Sequence, residues 1–166
     1  MVAGDFNGHG TSDLAVARSV LPGNGDGSFA SSVNYAAGQT PAFIALGDLN
    51  TDGKLDLAVA NTISRDVSIL LGKGDGTFSA PANFTVAANP VWLVISDFNA
   101  DGRSDLAVAN GSDVSILPGK GDGKMVSIAS TPNLRPKHTY WPRERFSRFP
   151  QIAKPLWKSS GGGGGS

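Results

Sequence analysis

The chain has 166 residues, which is room for about one ordinary domain, and its 14 Lys and Arg balance its 14 Asp and Glu. No run reaches the roughly 18 uninterrupted apolar residues that a membrane-spanning helix needs, so a transmembrane helix is excluded. The sequence contains no Cys, which excludes disulfides, thiolate metal sites and cysteine nucleophiles. The charges are segregated, because residues 1–123 hold 13 acidic and 6 basic residues whereas residues 124–166 hold 8 basic residues and one acidic residue.

An internal repeat fills the acidic part of the chain. An acidic motif reads DFNGHGTSDLAVA from Asp5, DLNTDGKLDLAVAN from Asp48 and DFNADGRSDLAVAN from Asp97. A glycine motif alternates with it and reads GNGDGSF from Gly23, GKGDGTF from Gly72 and GKGDGKM from Gly119. We therefore predict three repeat units, at about residues 1–40, 41–89 and 90–123.

The first unit is shorter than the other two. Asp13 and Asp26 are separated by 13 residues, whereas the equivalent separations are 19 and 17 residues in the second and third units. The missing residues fall around Arg18 to Leu21, so we expect the first unit to have lost roughly a strand's worth of residues there.

Each complete unit has the pattern of four short β-strands. In the second unit, Leu57 and Val59 alternate with Ala58 and Ala60, which is the period of a strand. One apolar run precedes the acidic motif and three follow it, the last containing Pro81, which suits only an edge strand or a bulge. Four antiparallel strands in about 40 to 50 residues are the size of one propeller blade. The predicted fold is all-β, a partial β-propeller of about two and a half four-stranded blades.

The acidic motif has the spacing D-x-N-x-[D/H]-G-x-x-D, which suits a calcium loop. Calcium takes about six to eight oxygen ligands, and alternate residues of a sharply turned loop supply them. The predicted ligands are side chains at loop positions 1, 3, 5 and 9 and the carbonyl at position 7. They are Asp48, Asn50, Asp52, Lys54 and Asp56 in the second unit, Asp97, Asn99, Asp101, Arg103 and Asp105 in the third, and Asp5, Asn7, His9, Thr11 and Asp13 in the first.

Two alternatives compete with this metal site. An EF-hand needs Glu at position 12, but that position holds Val16, Val59 or Val108, so an EF-hand is excluded. Asp, Asn and Gly are also the residues that any tight turn prefers. A carboxylate at position 9, already inside the next strand, serves no turn, and it therefore favours metal binding. In the first unit, His9 replaces the position 5 carboxylate and is a poor ligand for a hard cation.

The glycine motif invites a phosphate-loop interpretation that fails. No Gly-Lys-Ser or Gly-Lys-Thr follows it and no helical pattern begins after it. Asp-Gly between two strand patterns indicates a hairpin turn.

The basic part, residues 124–166, drops the repeat. It contains five Pro beyond residue 130 and ends in GGGGGS, and its composition is typical of a disordered segment. Arg143, Arg145 and Arg148 interleave with Tyr140, Trp141, Phe146 and Phe149. That pattern could bind nucleic acid through charge and stacking, although a solvated tail is the favoured interpretation.

The residues of the two motifs resemble the FG-GAP or VCBS repeats, the blades of integrin α-chain-like β-propellers and of many bacterial secreted proteins. DLNTDGKLDLAVAN, DFNADGRSDLAVAN and GKGDGTFSAPANF carry the resemblance, which covers residues 1 to about 123. It implies calcium between the first two strands of a blade, a closed propeller of about seven blades, and roles in adhesion, in carbohydrate or protein recognition, or as a scaffold. With so few units, we expect a fragment of a longer repeat protein.

The expected function is that of a calcium-binding structural, adhesion or recognition module, extracellular or at the cell surface, without catalytic activity. The repeats contain no Glu, no Cys and one His, which leaves little material for an active site. The alternative is a carbohydrate-binding lectin with an aromatic platform; Trp92, the one Trp of the repeats, is more readily interpreted as a core residue. Expected partners are further blades of a parent chain or another copy, and an extracellular protein or a glycan.

Overall fold

The computed structural model of the protein describes residues 1–16, 18–111 and 113–126, and these residues form strands and turns. The eleven strands of these ranges are β1 (Val2–Gly4), β2 (Asp13–Val16), β3 (Ser19–Leu21), β4 (Val33–Asn34), β5 (Pro41–Gly47), β6 (Asp56–Asn61), β7 (Asp66–Leu70), β8 (Ala82–Thr85), β9 (Trp92–Ser96), β10 (Asp105–Asn110) and β11 (Asp113–Leu117). None of the described residues belongs to a helix of the length and apolarity that a bilayer crossing requires.

The strands form three antiparallel sheets, one for each predicted unit. Sheet 1 has the order β1-β2-β3-β4, sheet 2 the order β5-β6-β7-β8 and sheet 3 the order β9-β10-β11. Each acidic motif joins the first two strands of its sheet, and each glycine motif follows the third strand. The all-β fold class and the order of the elements are therefore confirmed, and Pro81 directly precedes the edge strand β8, where a missing N–H costs no ladder hydrogen bond.

The first unit keeps the strand that its short sequence seemed to lack. β3 pairs with β2 between Leu14 and Leu21 and between Val16 and Ser19. In sheet 2 the equivalent strands β6 and β7 pair over five positions, from Leu57 to Asn61. The missing residues have therefore shortened both strands of the hairpin without removing either of them.

The hydrophobic core lies in two interfaces between neighbouring sheets. The first interface joins sheets 1 and 2 and contains Phe6, Ala15, Val20, Ile44, Leu57, Val59, Leu70 and Phe78. The second interface joins sheets 2 and 3 and contains Leu49, Ala58, Ala60, Val67, Ile69, Val86, Leu93, Leu106, Val108, Leu117 and Met125. Alternate residues of β6 face opposite interfaces, and all six are buried. Burying one Leu or Val side chain stabilises the fold by about 1.5–3 kcal/mol. Sheet 2 contributes buried side chains to both interfaces, so it supplies the largest share of this stabilisation.

The end of the described chain closes the third unit. Met125 bridges to Gly119 across the glycine motif and lies in the second interface. The remainder of the predicted disordered tail, residues 127–166, and its nucleic-acid alternative lie outside the described residues.

Candidate metal centre

The first Asp of each acidic loop is wrapped by backbone N–H groups of its own loop. In the second unit, the N–H groups of Asp52 and Gly53 donate to the Asp48 carboxylate at 3.2 and 2.8 Å. In the third unit, Asp101 and Gly102 donate to Asp97 at the same two distances. The carboxylate therefore sits at the centre of a turn of main-chain donors.

Positions 3 and 5 continue the same turn. The Asn50 side-chain oxygen accepts the N–H of Asp52 at 3.1 Å, and the Asp52 carboxylate accepts the N–H of Lys54 at 2.9 Å. Asn99 and Asp101 repeat these two bonds in the third unit. Positions 1, 3 and 5 thus each place an oxygen atom inside the turn.

The first loop keeps this geometry despite its His. Asp5 accepts four backbone N–H groups, the shortest from Gly8 and Gly10 at 2.8 Å. His9 takes part through its backbone, donating its N–H to Asn7 at 3.0 Å, and its side chain is exposed. Thr11, at position 7, donates its hydroxyl to the Gly23 carbonyl at 3.1 Å. Loop 1 is therefore folded by the same main-chain contacts without a carboxylate at position 5.

The position 9 Asp has a different environment, because it is buried and its two oxygens face two different segments. One oxygen of Asp56 accepts the N–H of Leu49 in the acidic loop, and the other accepts the N–H of Gly72 in the glycine motif, both at 2.8 Å. Asp13 makes the same pair of bonds to Phe6 and Gly23, and Asp105 to Phe98 and Gly119. This residue therefore links the acidic loop to the glycine turn through two hydrogen bonds. Its role as a calcium ligand stays a prediction.

Sequence reasoning missed the glycine that makes this tie possible. A Cβ on Gly72 would overlap the Leu55 carbonyl oxygen, and Gly23 and Gly119 approach the Ser12 and Ser104 carbonyls in the same way. The sequence does indicate that the two motifs are related, because each acidic motif is followed by one glycine motif. The spacing alone does not show which of their backbone groups are in contact.

Electrostatics differ between the exposed and the buried positions of the loop. Backbone hydrogen bonds, the strongest from Gly102, hold the pKa of Asp97 below its usual value, and those from Gly10 do the same for Asp5. Burial raises the pKa of Asp56, and the negative charges of Asp52 and Asp48 raise it further. The three carboxylates of loop 2 therefore repel one another, and a cation would relieve this repulsion.

The oxygen donors of loops 2 and 3 fit calcium in kind. Carboxylate and amide oxygens are hard ligands of the type that calcium prefers, and an oxygen that accepts one N–H keeps a second lone pair. Within the described residues, no group of three or more Asp, Glu, His or Cys is assembled as a metal-binding cluster. The loops thus bring together the predicted donors of positions 1, 3 and 5 without a preformed cage.

The loop backbone is in the left-handed region at positions 4 and 6. Gly53 and Gly102 adopt it at position 6 with φ of 77° and 81°, at no steric cost. Thr51 and Ala100 adopt it at position 4, with φ of 62° and 59°, where a Cβ makes it unfavourable by about 1–2 kcal/mol. The turn that gathers the oxygens is therefore strained in loops 2 and 3.

Trp92 occupies a position that its sequence context did not predict. Its side chain is 55% exposed, and its ring stacks on Phe43 of the neighbouring sheet, with centroids 3.9 Å apart. One face of the indole is thus covered and the other is open, so the core interpretation holds for only half of the ring.

Solved structures that share this fold include two with a TM-score just above 0.5. One is the Tc holotoxin pore of Photorhabdus luminescens, with a TM-score of 0.52 and 20% identity over 81% of this chain and 7% of that chain. The other is an Agrocybe aegerita lectin that recognises non-reducing terminal N-acetylglucosamine, with a TM-score of 0.51 and 20% identity over 78% of this chain and 37% of that chain. This chain therefore spans only a small part of either protein. Comparison with curated proteins gives no match.

The family model described as FG-GAP-like repeat matches the chain twice, at residues 5–59 and 48–108. The two matches overlap and together cover more than half of the sequence. They contain all three acidic loops and the first two glycine motifs. The chain belongs to the FG-GAP-like repeat family.

Proposed function

We propose that this chain is a calcium-binding scaffold module, extracellular or at the cell surface, that stabilises its own sheets with bound ions and has no catalytic activity. The observation that supports this most is the acidic loop, whose position 9 Asp is hydrogen-bonded to a glycine turn in all three units, and whose oxygens at positions 1, 3 and 5 are the same in loops 2 and 3. The ions would be held by Asp48, Asn50, Asp52, the Lys54 carbonyl and Asp56 in loop 2, and by the equivalent residues in loop 3. Calcium, when bound, supplies the positive charge that offsets the repulsion among these carboxylates.

The consequence for stability follows from the place of the loop. It connects the first two strands of a sheet, and Asp56 connects it to the turn after the third strand. Binding an ion to the folded loop alone stabilises the folded state, and it offsets the strain of the left-handed residues. Loops with three carboxylates and no bidentate Glu suit a weak affinity, on the order of 10⁻⁴ to 10⁻³ M, as in extracellular modules.

The test is the melting temperature of the chain in excess calcium and in EDTA, with calcium titrated calorimetrically. We expect a calcium-dependent rise for the parent chain. The double variant Asp52→Asn/Asp101→Asn should lose this rise, because it removes the position 5 carboxylate from loops 2 and 3.

A matched control is Asp75→Asn, which removes one exposed charge from a glycine turn that carries no predicted ligand. Asp75 accepts the N–H and the hydroxyl of Thr77 at 2.9 and 2.6 Å, and Asn can accept the same bonds. This variant should keep the full calcium response. An unchanged rise in the double variant would refute the calcium assignment.

Carbohydrate recognition is the second candidate, because the open face of Trp92 has the form of a sugar platform. The fold neighbour from Agrocybe aegerita is a lectin, and aromatic rings are the usual surface on which apolar sugar faces stack. We expect N-acetylglucosamine to shift the indole NMR signal of Trp92 if this candidate is correct, with Trp92→Ala as the assignment control. An unshifted signal at saturating sugar excludes it.

A further inference from the structure

Neighbouring sheets of this protein meet through the same joint at both interfaces. At the first interface, Phe6 of the first acidic loop packs edge to face against Phe78 of the second unit's glycine motif, with ring centroids 5.4 Å apart. At the second interface, the equivalent residues Leu49 and Met125 lie in one core cluster. At each interface, one unit therefore contributes the side chain at loop position 2, and the next unit contributes the last residue of its glycine motif.

Main-chain groups repeat this joint. The N–H of Gly76 donates to the Phe6 carbonyl at 2.9 Å, and the N–H of Gly123 donates to the Leu49 carbonyl at 3.3 Å. In both cases, the last glycine of one turn contacts the acidic loop of the preceding unit. The joint is thus directional, with an acceptor half on one sheet and a donor half on the next.

The outer face of sheet 3, defined by Val94 and Phe98, carries the acceptor half. Phe98 occupies the sequence position of Phe6 and Leu49, which are 4% and 0% exposed, yet Phe98 is 47% exposed. Val94 is 47% exposed and corresponds to Ala45 of β5, which packs into the second interface. Among the described residues, no sheet follows sheet 3, so this half of the joint has no counterpart there.

The outer face of sheet 1, defined by Val16, Gly27 and Phe29, carries the donor half. Phe29 occupies the position of Phe78 and Met125, and it is 45% exposed where those two are buried. Val16 occupies the position of Val59, which is buried in the first interface, and it is exposed. Gly27 is the last glycine of its turn, at the position of Gly76 and Gly123.

We propose that the outer face of sheet 3 binds the outer face of sheet 1 of a second copy of this chain. Phe98 would lie against Phe29 of the second copy as Phe6 lies against Phe78, and the Phe98 carbonyl would accept the N–H of Gly27 of the second copy. Exposed apolar faces of this kind mark interaction surfaces. Because the two faces differ, the contact is head to tail. The proposal rests on the scaffold part of the proposed function and does not require calcium.

The test is sedimentation velocity of the full chain at increasing concentration, in calcium and in EDTA. We expect the parent chain to associate with concentration. Val94→Glu disables the face of sheet 3 and Phe29→Glu the face of sheet 1, so each variant alone should be monomeric. Mixed in equal amounts, the two variants should form a dimer that does not grow, since each supplies the face that the other lacks.

The control is Ile63→Glu, which changes an apolar residue that is 62% exposed in the link between β6 and β7, away from both faces. It should associate like the parent, and the melting temperature of each variant reports its folding. A parent chain that stays monomeric at every concentration would overturn the proposal, as would a Phe29→Glu variant that still dimerises. If association persists while the calcium response is absent, the calcium assignment fails and this inference stands.

Discussion

The buried Asp at position 9 is the residue that unites the two motifs of a unit. Its oxygens accept the N–H of Leu49 and the N–H of Gly72, which are 23 residues apart in the sequence. A buried N–H without an acceptor is costly, so the side chain is needed for the fold whether or not a metal is bound. The same residue type can therefore serve a structural and a ligand role at one position.

Replacing this residue should destabilise the protein even without calcium. We expect Asp56→Ala to lower the free energy of unfolding in EDTA by about 3 kcal/mol, because two buried N–H groups lose their acceptor. Urea unfolding followed by circular dichroism measures this change. Asp52→Ala, at an exposed position, serves as the control and should cost less than about 1 kcal/mol in EDTA. Equal losses for the two variants would contradict the structural role of Asp56.

Sequence reasoning reached this residue but not its partners. The spacing of Asp48, Asn50 and Asp52 predicts a turn of oxygen atoms, because these residues are local. The contact of Asp56 with Gly72 joins segments 16 residues apart, and no periodicity encodes which backbone groups meet across such a distance. The exposure of Trp92 was missed for a related reason, since burial of a strand residue depends on whether another sheet follows.

At the scale of elements, the glycine turns and the acidic loops are both organised by carboxylates that accept backbone N–H groups. The aspartates of the glycine turns accept the N–H of the residue two positions later, as in Asp26, Asp75 and Asp122. The four-strand order of a unit was predictable from alternation between these turns. The retained β3 was not, because a shortened hairpin keeps its pairing with fewer residues.

The aspartates of the glycine turns should make the stability of the folded protein depend on pH. The Thr77 hydroxyl and N–H lower the pKa of Asp75, the Ser28 hydroxyl and N–H lower that of Asp26, and the Lys124 N–H lowers that of Asp122. A lowered pKa in the folded state gives stability that is present above the unfolded value of 3.8 and is lost as the pH falls below it. The pKa of Asp56 is raised, so its contribution to stability grows as the pH falls, opposite to that of the glycine turns.

We therefore expect the melting temperature in EDTA to fall as the pH is lowered through about 4 towards 3. Thermal unfolding by circular dichroism across this range measures the slope. Asp75→Asn should show a shallower decline, since its turn no longer titrates. A melting temperature that is constant or rises on acidification would show that the turns do not contribute.

At the scale of the whole molecule, sheet 2 is the only one of the three described sheets that has a neighbour on both faces. Its central strand β6 is buried at every position, whereas the equivalent strands β2 and β10 contain partly exposed residues. Local opening is governed by burial and contact, so stability should decrease from sheet 2 towards both ends. The three sheets are consistent with part of a propeller, a fold that gains its core only by stacking.

This gradient is measurable by amide hydrogen exchange. We expect the slowest exchange in β6 and the neighbouring β7, and faster exchange in β2 and β10. The Val94→Glu variant at low concentration is the suitable sample, because association would add protection to the outer sheets. Equal protection in all three central strands would contradict the gradient.

The hydrogen bonds from Gly76 to the Phe6 carbonyl and from Gly123 to the Leu49 carbonyl use no side-chain atoms. Part of the docking of one unit on the next is thus made by the main chain, and the apolar side chain at loop position 2 can differ in shape, as it does from Phe6 to Leu49 to Phe98. Such a chain can be lengthened or shortened by whole units through duplication or loss of coding segments. A new contact between units needs no further change of sequence, because every unit already has the loop carbonyl and the turn N–H that form these hydrogen bonds.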